Sequence, residues 1–287
     1  MARKRCVQSL IVIVALIAFA LPQESRSREN SASAQSLAQK VVENEIRASE
    51  NDHSLWSFQD TTQESGRKET RTVIQTKDGN LARLIAINGQ PLTPEQQKKE
   101  DERIQELLKN SSEQRKQQRD QQKDAQQMTR MLKLLPQALL FSYGTRRDSS
   151  TQLLFKPNPQ FRPHSHEAQV LNALAGEMWV NCKENRIEEI TGHLIHEVKF
   201  WGGIAGHLDK GGQFHVKQVQ PAPEHWLLSV INVQMNGKAL FFKTISVRQI
   251  ESRTQFHQVS NNLTLAQAAQ MLLGSKALAL VRGGSPK

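Results

Sequence analysis

Cysteine is nearly absent: the 287 residues hold only Cys6 and Cys182. A scaffold stapled by internal disulfides is thereby excluded, and the fold must rest on an ordinary apolar core. Nor does any apolar run reach the ~20 residues of a helical membrane span. The run from Leu10 to Leu21 has 12. The phosphate-loop patterns GxGxxG and GxxxxGKS/T are missing. The glycine-dense stretch KFWGGIAGHLDKGGQFHVKQ, Lys199 to Gln218, lies among strand-like segments and not at a strand-to-helix junction. It therefore lacks the gathered N–H groups that hold a phosphate, and Asp209-Lys210-Gly211-Gly212 is expected to turn between strands ending near Leu208 and beginning near Gln213.

Reactive constellations are missing too. There is no GxSxG elbow, and Cys182 stands in no recognisable partner motif. His193 and His196, three apart on an alternating segment, face opposite ways; His164 and His166 have no cysteine or acid to complete a tetrahedral set. Glu188 and Glu189, adjacent on a strand, are expected on opposite faces, which disqualifies them as an acid–base pair. No enzymatic activity, no cofactor and no metal are expected.

What is present begins with MARKR ahead of the apolar run, the pattern of a secretory signal peptide. Ala32-Ser33-Ala34 fits a cleavage site before Gln35, and a cut nearer Ala20 is the alternative. Cys6 precedes the apolar run, so it is no lipoprotein cysteine. Residues 1–34 carry five basic and two acidic side chains, so their removal lowers the net charge from +10 to +7 and leaves 253 residues. The expected destination is the periplasm. The positive balance suits anionic lipid or another acidic surface, with membrane contact at most peripheral, and no nucleic-acid motif appears.

Residues 35–50 suit a short helix. Strand-like runs follow, with hairpin signals at Asp78-Gly79, Asn88-Gly89 and Asn236-Gly237. Leu81, Ile85 and Ile87 are expected on one side of their strand. The quartet TPEQ at Thr93 marks a capped helix start. Apolar patches at Ile104, Leu107, Leu108 and at Met128, Met131, Leu132, Leu135 flank a stretch, Lys109 to Gln127, whose one apolar residue is Ala125. Helical throughout, residues 94–132 would reach about 58 Å, so the middle should protrude or break, and Pro136 should end it. SHEAQVLNAL reads as a short helix. TLAQAAQMLLG closes the domain, with a Thr264–Gln267 capping box and Gly274 as its stop.

Two segments carry a resemblance: LWSFQDTTQESGRKETRTVIQTKDGNLARLIAINGQPLT, and GEMWVNCKENRIEEITGHL continued by VKFWGGIAGHLDKGGQFHVKQ. With the element order, they resemble the periplasmic half-barrel superfamily of lipoprotein-localisation proteins and the related sigma-factor regulatory sensor domain. The resemblance implies an α+β fold in which a curved antiparallel sheet, a half-barrel, wraps helices, here with a long polar helical insertion at 94–135. The domain would span 35–275, followed by a flexible tail at 276–287. It also implies an apolar hollow that receives acyl chains. Trp56 and Phe58 share a strand face, as do Ile190, Leu194, Val198 and Phe200; these six are the expected lining of the hollow. The expected function is an exported carrier or binding module for a lipid or lipoprotein acyl chain. The alternative is a non-enzymatic envelope protein that meets a protein partner through the polar insertion.

Overall fold

The computed structural model describes residues 22–64, 66–200, 206–239 and 243–282. The basic start and apolar run of the expected signal peptide lie outside them. The chain runs α1 (Pro22–Asn51), β1 (Leu55–Glu64), β2 (Arg67–Thr76), β3 (Gly79–Ile87), β4 (Gln90–Pro91), α2 (Pro94–Lys109), α3 (Ser111–Ala138), β5 (Leu139–Arg147) and β6 (Ser150–Pro157). It continues with α4 (His166–Leu171), β7 (Leu174–Asn181), β8 (Ile187–Leu194), β9 (Val198–Phe200), β10 (Gly206–Leu208), β11 (Gln213–Ala222), β12 (His225–Ala239), β13 (Lys243–Val259) and α5 (Leu265–Arg282).

The class is α+β, and the strands form one open antiparallel sheet of 13 in the order β4-β3-β2-β1-β13-β12-β11-β8-β7-β6-β5, with β10 joined to β12 and β9 to β10. Paired residues in such a sheet point to the same side, so the register assigns each side chain a face. On the front face, Leu194 pairs with Leu174, and Phe58 pairs with Val73. Helix α1, the end of α3, and α4 pack here, placing Ala34, Ala38, Val41, Ala138 and Leu171 against Leu139, Phe155, Met178 and Leu194. The back face carries α2 and α5 at its other end, where Ile104, Leu107, Ala268 and Leu272 close over Ile74 and Leu81.

Local signals explain many boundaries. Thr93 and Gln96 make the full capping box, with Pro94 at the first helical position. Thr264 and Gln267 exchange the same bonds. The hairpin expected at Asp78-Gly79 turns one residue earlier, on Lys77-Asp78, with Gly79 already in β3; Asn88-Gly89 turns as expected, both residues having positive φ. The turn after Leu208 gives way to β11 at Gln213.

Several expectations are corrected. Asn236-Gly237 is not a turn: β12 continues through it, Gly237 pairing with Ile245. Its glycine serves a close approach, since a Cβ there would sit 2.1 Å from the His207 carbonyl oxygen of β10. Gly274 does not stop α5, which runs on to Arg282. Pro136 lies inside α3, which ends at Ala138. The long helical region breaks at Asn110, whose side chain accepts from the Glu113 N–H to start α3. The polar stretch is not bare along its whole length. Gln114 donates to the Leu107 and Leu108 carbonyls, and Gln118 to the Asp78 carbonyl of the β2–β3 turn at 2.7 Å. The longest uninterrupted exposed run of α3 is 122–128. At its far end Met131, Leu134 and Leu135 join the front core. Helix α3, ~42 Å long by its rise, thus reaches from the β2–β3 turn to β5.

Two bulges overturn face assignments. Ile85 is an extra residue opposite the Thr70–Arg71 step, so Ile87 falls on the front and Leu81 on the back. Glu188 is an extra residue opposite the Trp179–Val180 step. Glu188 consequently bonds Ser150 and Asn181 on the back face, where Glu189 also lies, bonded to His215.

Helix α1 is fixed by one buried carboxylate. Glu45 accepts from Arg186 Nε at 2.9 Å and Nη2 at 3.1 Å, from the Ile187 N–H at 2.8 Å, and from Gln218 Nε2 at 3.2 Å. Both charged side chains are nearly enclosed. Removing one member of such a pair strands the other charge. Glu45→Ala is therefore expected to lower the unfolding free energy by about 3–5 kcal/mol in denaturant titration, with Glu45→Gln losing less because it keeps acceptor capacity.

Candidate functional site

The six side chains singled out from the sequence all stand with the front face but do not gather in one hollow. Ile190, Leu194, Val198 and Phe200 belong to the core under α1, where Leu194 is 0% and Val198 4% exposed. Phe200 also meets the ring of His166, centroids 4.9 Å apart. Trp56 and Phe58 form a separate cluster with Val73, Ala82, Ala222, Leu227 and Phe256. Trp56 is locked there: its indole N–H donates to Ser54 Oγ at 2.8 Å, and its ring meets His225 edge-on. His225 bonds Asp52 at the end of α1 at 3.0 Å. Burial works to raise the Asp52 carboxyl, but the bonds from Ser54 and His225 outweigh it and hold the group below the usual carboxylate range. These six are packed by the protein's own side chains.

Between the two clusters the front face is different. The register Val216–Ile231, Phe214–Val233 and Met235–Val247 puts six apolar side chains side by side on β11, β12 and β13. None is buried, and Val247 is 41% exposed. One border is the α1 core, to which Ile190 and Phe214 attach. Phe214 lies flat against the sheet because the residue opposite it is a glycine: a Cβ at Gly192 would come within 2.5 Å of Cε1 of that ring. Gly176, paired with Gly192, makes the same room for Phe155.

The other border is charged. Arg71, Asp60 and Arg253 pair in a row across β2, β1 and β13. Glu69 binds Arg67 and Arg71, and Glu251 binds Arg253. The Arg253 guanidinium also stands 5.3 Å from the Phe58 ring centroid. Asp60 Oδ1 is buried without a hydrogen-bond partner. Burial first, and then the Glu251 carboxylate, push the Asp60 carboxyl above the usual range against the pull of Arg253 and Arg71.

Among the described residues, no helix lies on the back face over β6–β12. It holds a concavity of about 500 Å³ lined by Leu154, Glu177, Thr191, His193, Gln213, His215, Asn232 and Gln234, with backbone from β7, β8 and β11 in its floor. Sequence reading paired His193 with His196 and His164 with His166, and missed the convergence of His193 with His215. The signal was the alternation itself: His215 lies between Phe214 and Val216, and Asn232 between Ile231 and Val233. His164, His166 and His196 lie elsewhere and are exposed. Among the described residues no three His, Cys, Asp or Glu are placed to hold a metal ion, and no helix is long and apolar enough to cross a membrane.

No protein-family model, curated protein or solved structure matches the chain.

The Asp60 environment has a definite pH signature. A carboxyl whose pKa is raised by folding binds more protons folded than unfolded, so its contribution is favourable at low pH and is lost as pH rises through the folded value. Asp60→Asn, which stays neutral, is expected to unfold at an equal or higher temperature than the parent at pH 7. That difference should shrink toward pH 4, near the carboxylate's own range, in paired thermal melts.

Proposed function

We propose that this chain is a non-enzymatic binding module of the cell envelope that holds an apolar chain, such as an acyl group of a lipid or lipoprotein, along the front strip of β11–β13. The observation that carries this reading is the contiguous run Phe214, Val216, Ile231, Val233, Met235 and Val247, apolar and uncovered between a packed core and a charged border. In this reading the open sheet works as a half-barrel, its inner side being the front face, in keeping with the resemblance to lipoprotein-localisation proteins. Each methylene buried there contributes ~0.8 kcal/mol before the cost of ordering the chain. The positive net charge suits an anionic membrane surface at which such cargo would be exchanged. Export by a cut near Ala20 would leave α1 whole.

Titration with a fluorescent fatty acid and with a triacylated peptide tests the reading. Saturable binding is expected; Ile231→Asp should abolish it, and His193→Ala on the back face should not, with circular dichroism confirming both folds. Failure of both probes to saturate would reject the carrier reading. The second reading, a protein partner, rests on α3, whose residues 122–128 are helical yet exposed throughout.

A further inference from the structure

We propose that the back-face concavity is a second binding site, and that it takes a neutral, β-linked oligosaccharide lying across the strands. One cross-strand row carries the argument. Leu154, Glu177, Thr191, His215 and Asn232 are register partners on β6, β7, β8, β11 and β12 in turn, all on the back face and all in the lining. A second row, His193, Gln213 and Gln234, runs beside it. Five strands give four inter-strand steps, ~19 Å in total. Each step is close to the length of one pyranose unit in an extended β-linked chain, so every strand can present one side chain to one sugar.

The chemistry of the lining narrows the ligand. It contains no lysine or arginine, so nothing there favours an anion. Its one carboxylate, Glu177, already accepts from Gln152. The remaining groups are amides, imidazoles and a hydroxyl. Two of them ask for a donor. Asn232 Oδ1 is buried and has no hydrogen-bond partner, a state that costs free energy until a donor arrives. Beside it in the row, His215 contacts Glu189 Oε1 through Nε2 at 2.8 Å. In the neutral ring that bond uses the Nε2 proton and leaves Nδ1 as an acceptor. Phosphate dianions and acyl chains bring no donors to such a pair; sugar hydroxyls bring several. Leu154, 41% exposed at the end of the row, offers an apolar platform for the C–H side of a ring. The concavity also has the volume of a small-ligand site.

The full chain is titrated by calorimetry and by NMR with cellotetraose and N-acetylchitotetraose. Maltotetraose serves as the α-linked comparison and inorganic phosphate as the anionic one. At least one β-linked probe should saturate below about 10 mM, with the comparison ligands at least about tenfold weaker. Asn232→Leu and Thr191→Val should each weaken it by about tenfold, roughly the worth of one hydrogen bond, without lowering the unfolding temperature. Val247→Asp, on the front strip, should leave saccharide binding intact, so this site and the apolar one succeed or fail separately. The proposal is overturned if neither β-linked probe saturates, if phosphate binds equally well, or if both back-face variants bind as the parent does.

Discussion

The Glu45 carboxylate is the constraint from which the rest of the front face follows. Its four acceptor contacts join the carboxy-terminal part of α1 to the β7–β8 connection, the start of β8 and β11. A buried ion pair is costly to assemble and tolerates little displacement, because every lost contact leaves charge in a poorly solvated place. Fixing α1 at Glu45 seats Val41 and Ala38 on β5–β8, and among the described residues no helix lies over the front of β11–β13. At the same end of the helix Asp52 reaches His225 and so shapes the Trp56 cluster. The uncovered apolar strip is thus a consequence of where one carboxylate is held.

The two faces share a single alternating text. In QFHVKQV and VINVQM, Phe214, Val216, Ile231 and Val233 go to the front while His215, Lys217, Asn232 and Gln234 go to the back. Neighbouring strands with the same alternation in register make an apolar surface on one side and a polar one on the other. Helices then select which parts of each surface remain open: α1, α3 and α4 take the front of β5–β8, and α2 with α5 take the back of β2–β3. What remains free is apolar in front and polar behind, over the same central strands.

Much of this was legible in the residues. Capping boxes at Thr93 and Thr264, the turn at Asn88-Gly89 and the corner before Gln213 depend on local chemistry and were read correctly, and the Asp78 turn was placed to within one residue. The failures required information from elsewhere in the chain. Nothing local announces the bulges at Ile85 and Glu188, which are set by how partner strands align and which move every later side chain to the other face. Gly237 looks like half of a turn because the strand it must admit, β10, lies some thirty residues away in the chain. The docking of the amino-terminal half of α3 was invisible because it is made by glutamines donating to carbonyls, whereas the apolar patch at its far end was legible. The candidate lining was half legible: alternation placed Trp56 with Phe58 and Leu194 with Ile190, but only the register shows which apolar positions the helices leave open.

Gln35 shows how the amino-terminal helix doubles as a missing strand. Its side chain donates to the Leu139 carbonyl, accepts from the Phe141 N–H at 3.0 Å, and also donates to the Pro136 carbonyl at 2.6 Å. One primary amide thereby imitates the peptide group of a neighbour along the start of β5, an edge that would otherwise invite pairing with another chain. The same residue stands next to the Ala34–Gln35 bond. A chain beginning at Gln35 would expose a free amine beside that amide, and an amino-terminal glutamine cyclises to a lactam by expelling ammonia. The ring would retain the carbonyl but not the NH₂ group, so a cut before Gln35 would loosen the seal on this sheet edge, whereas a cut near Ala20 would leave it in place.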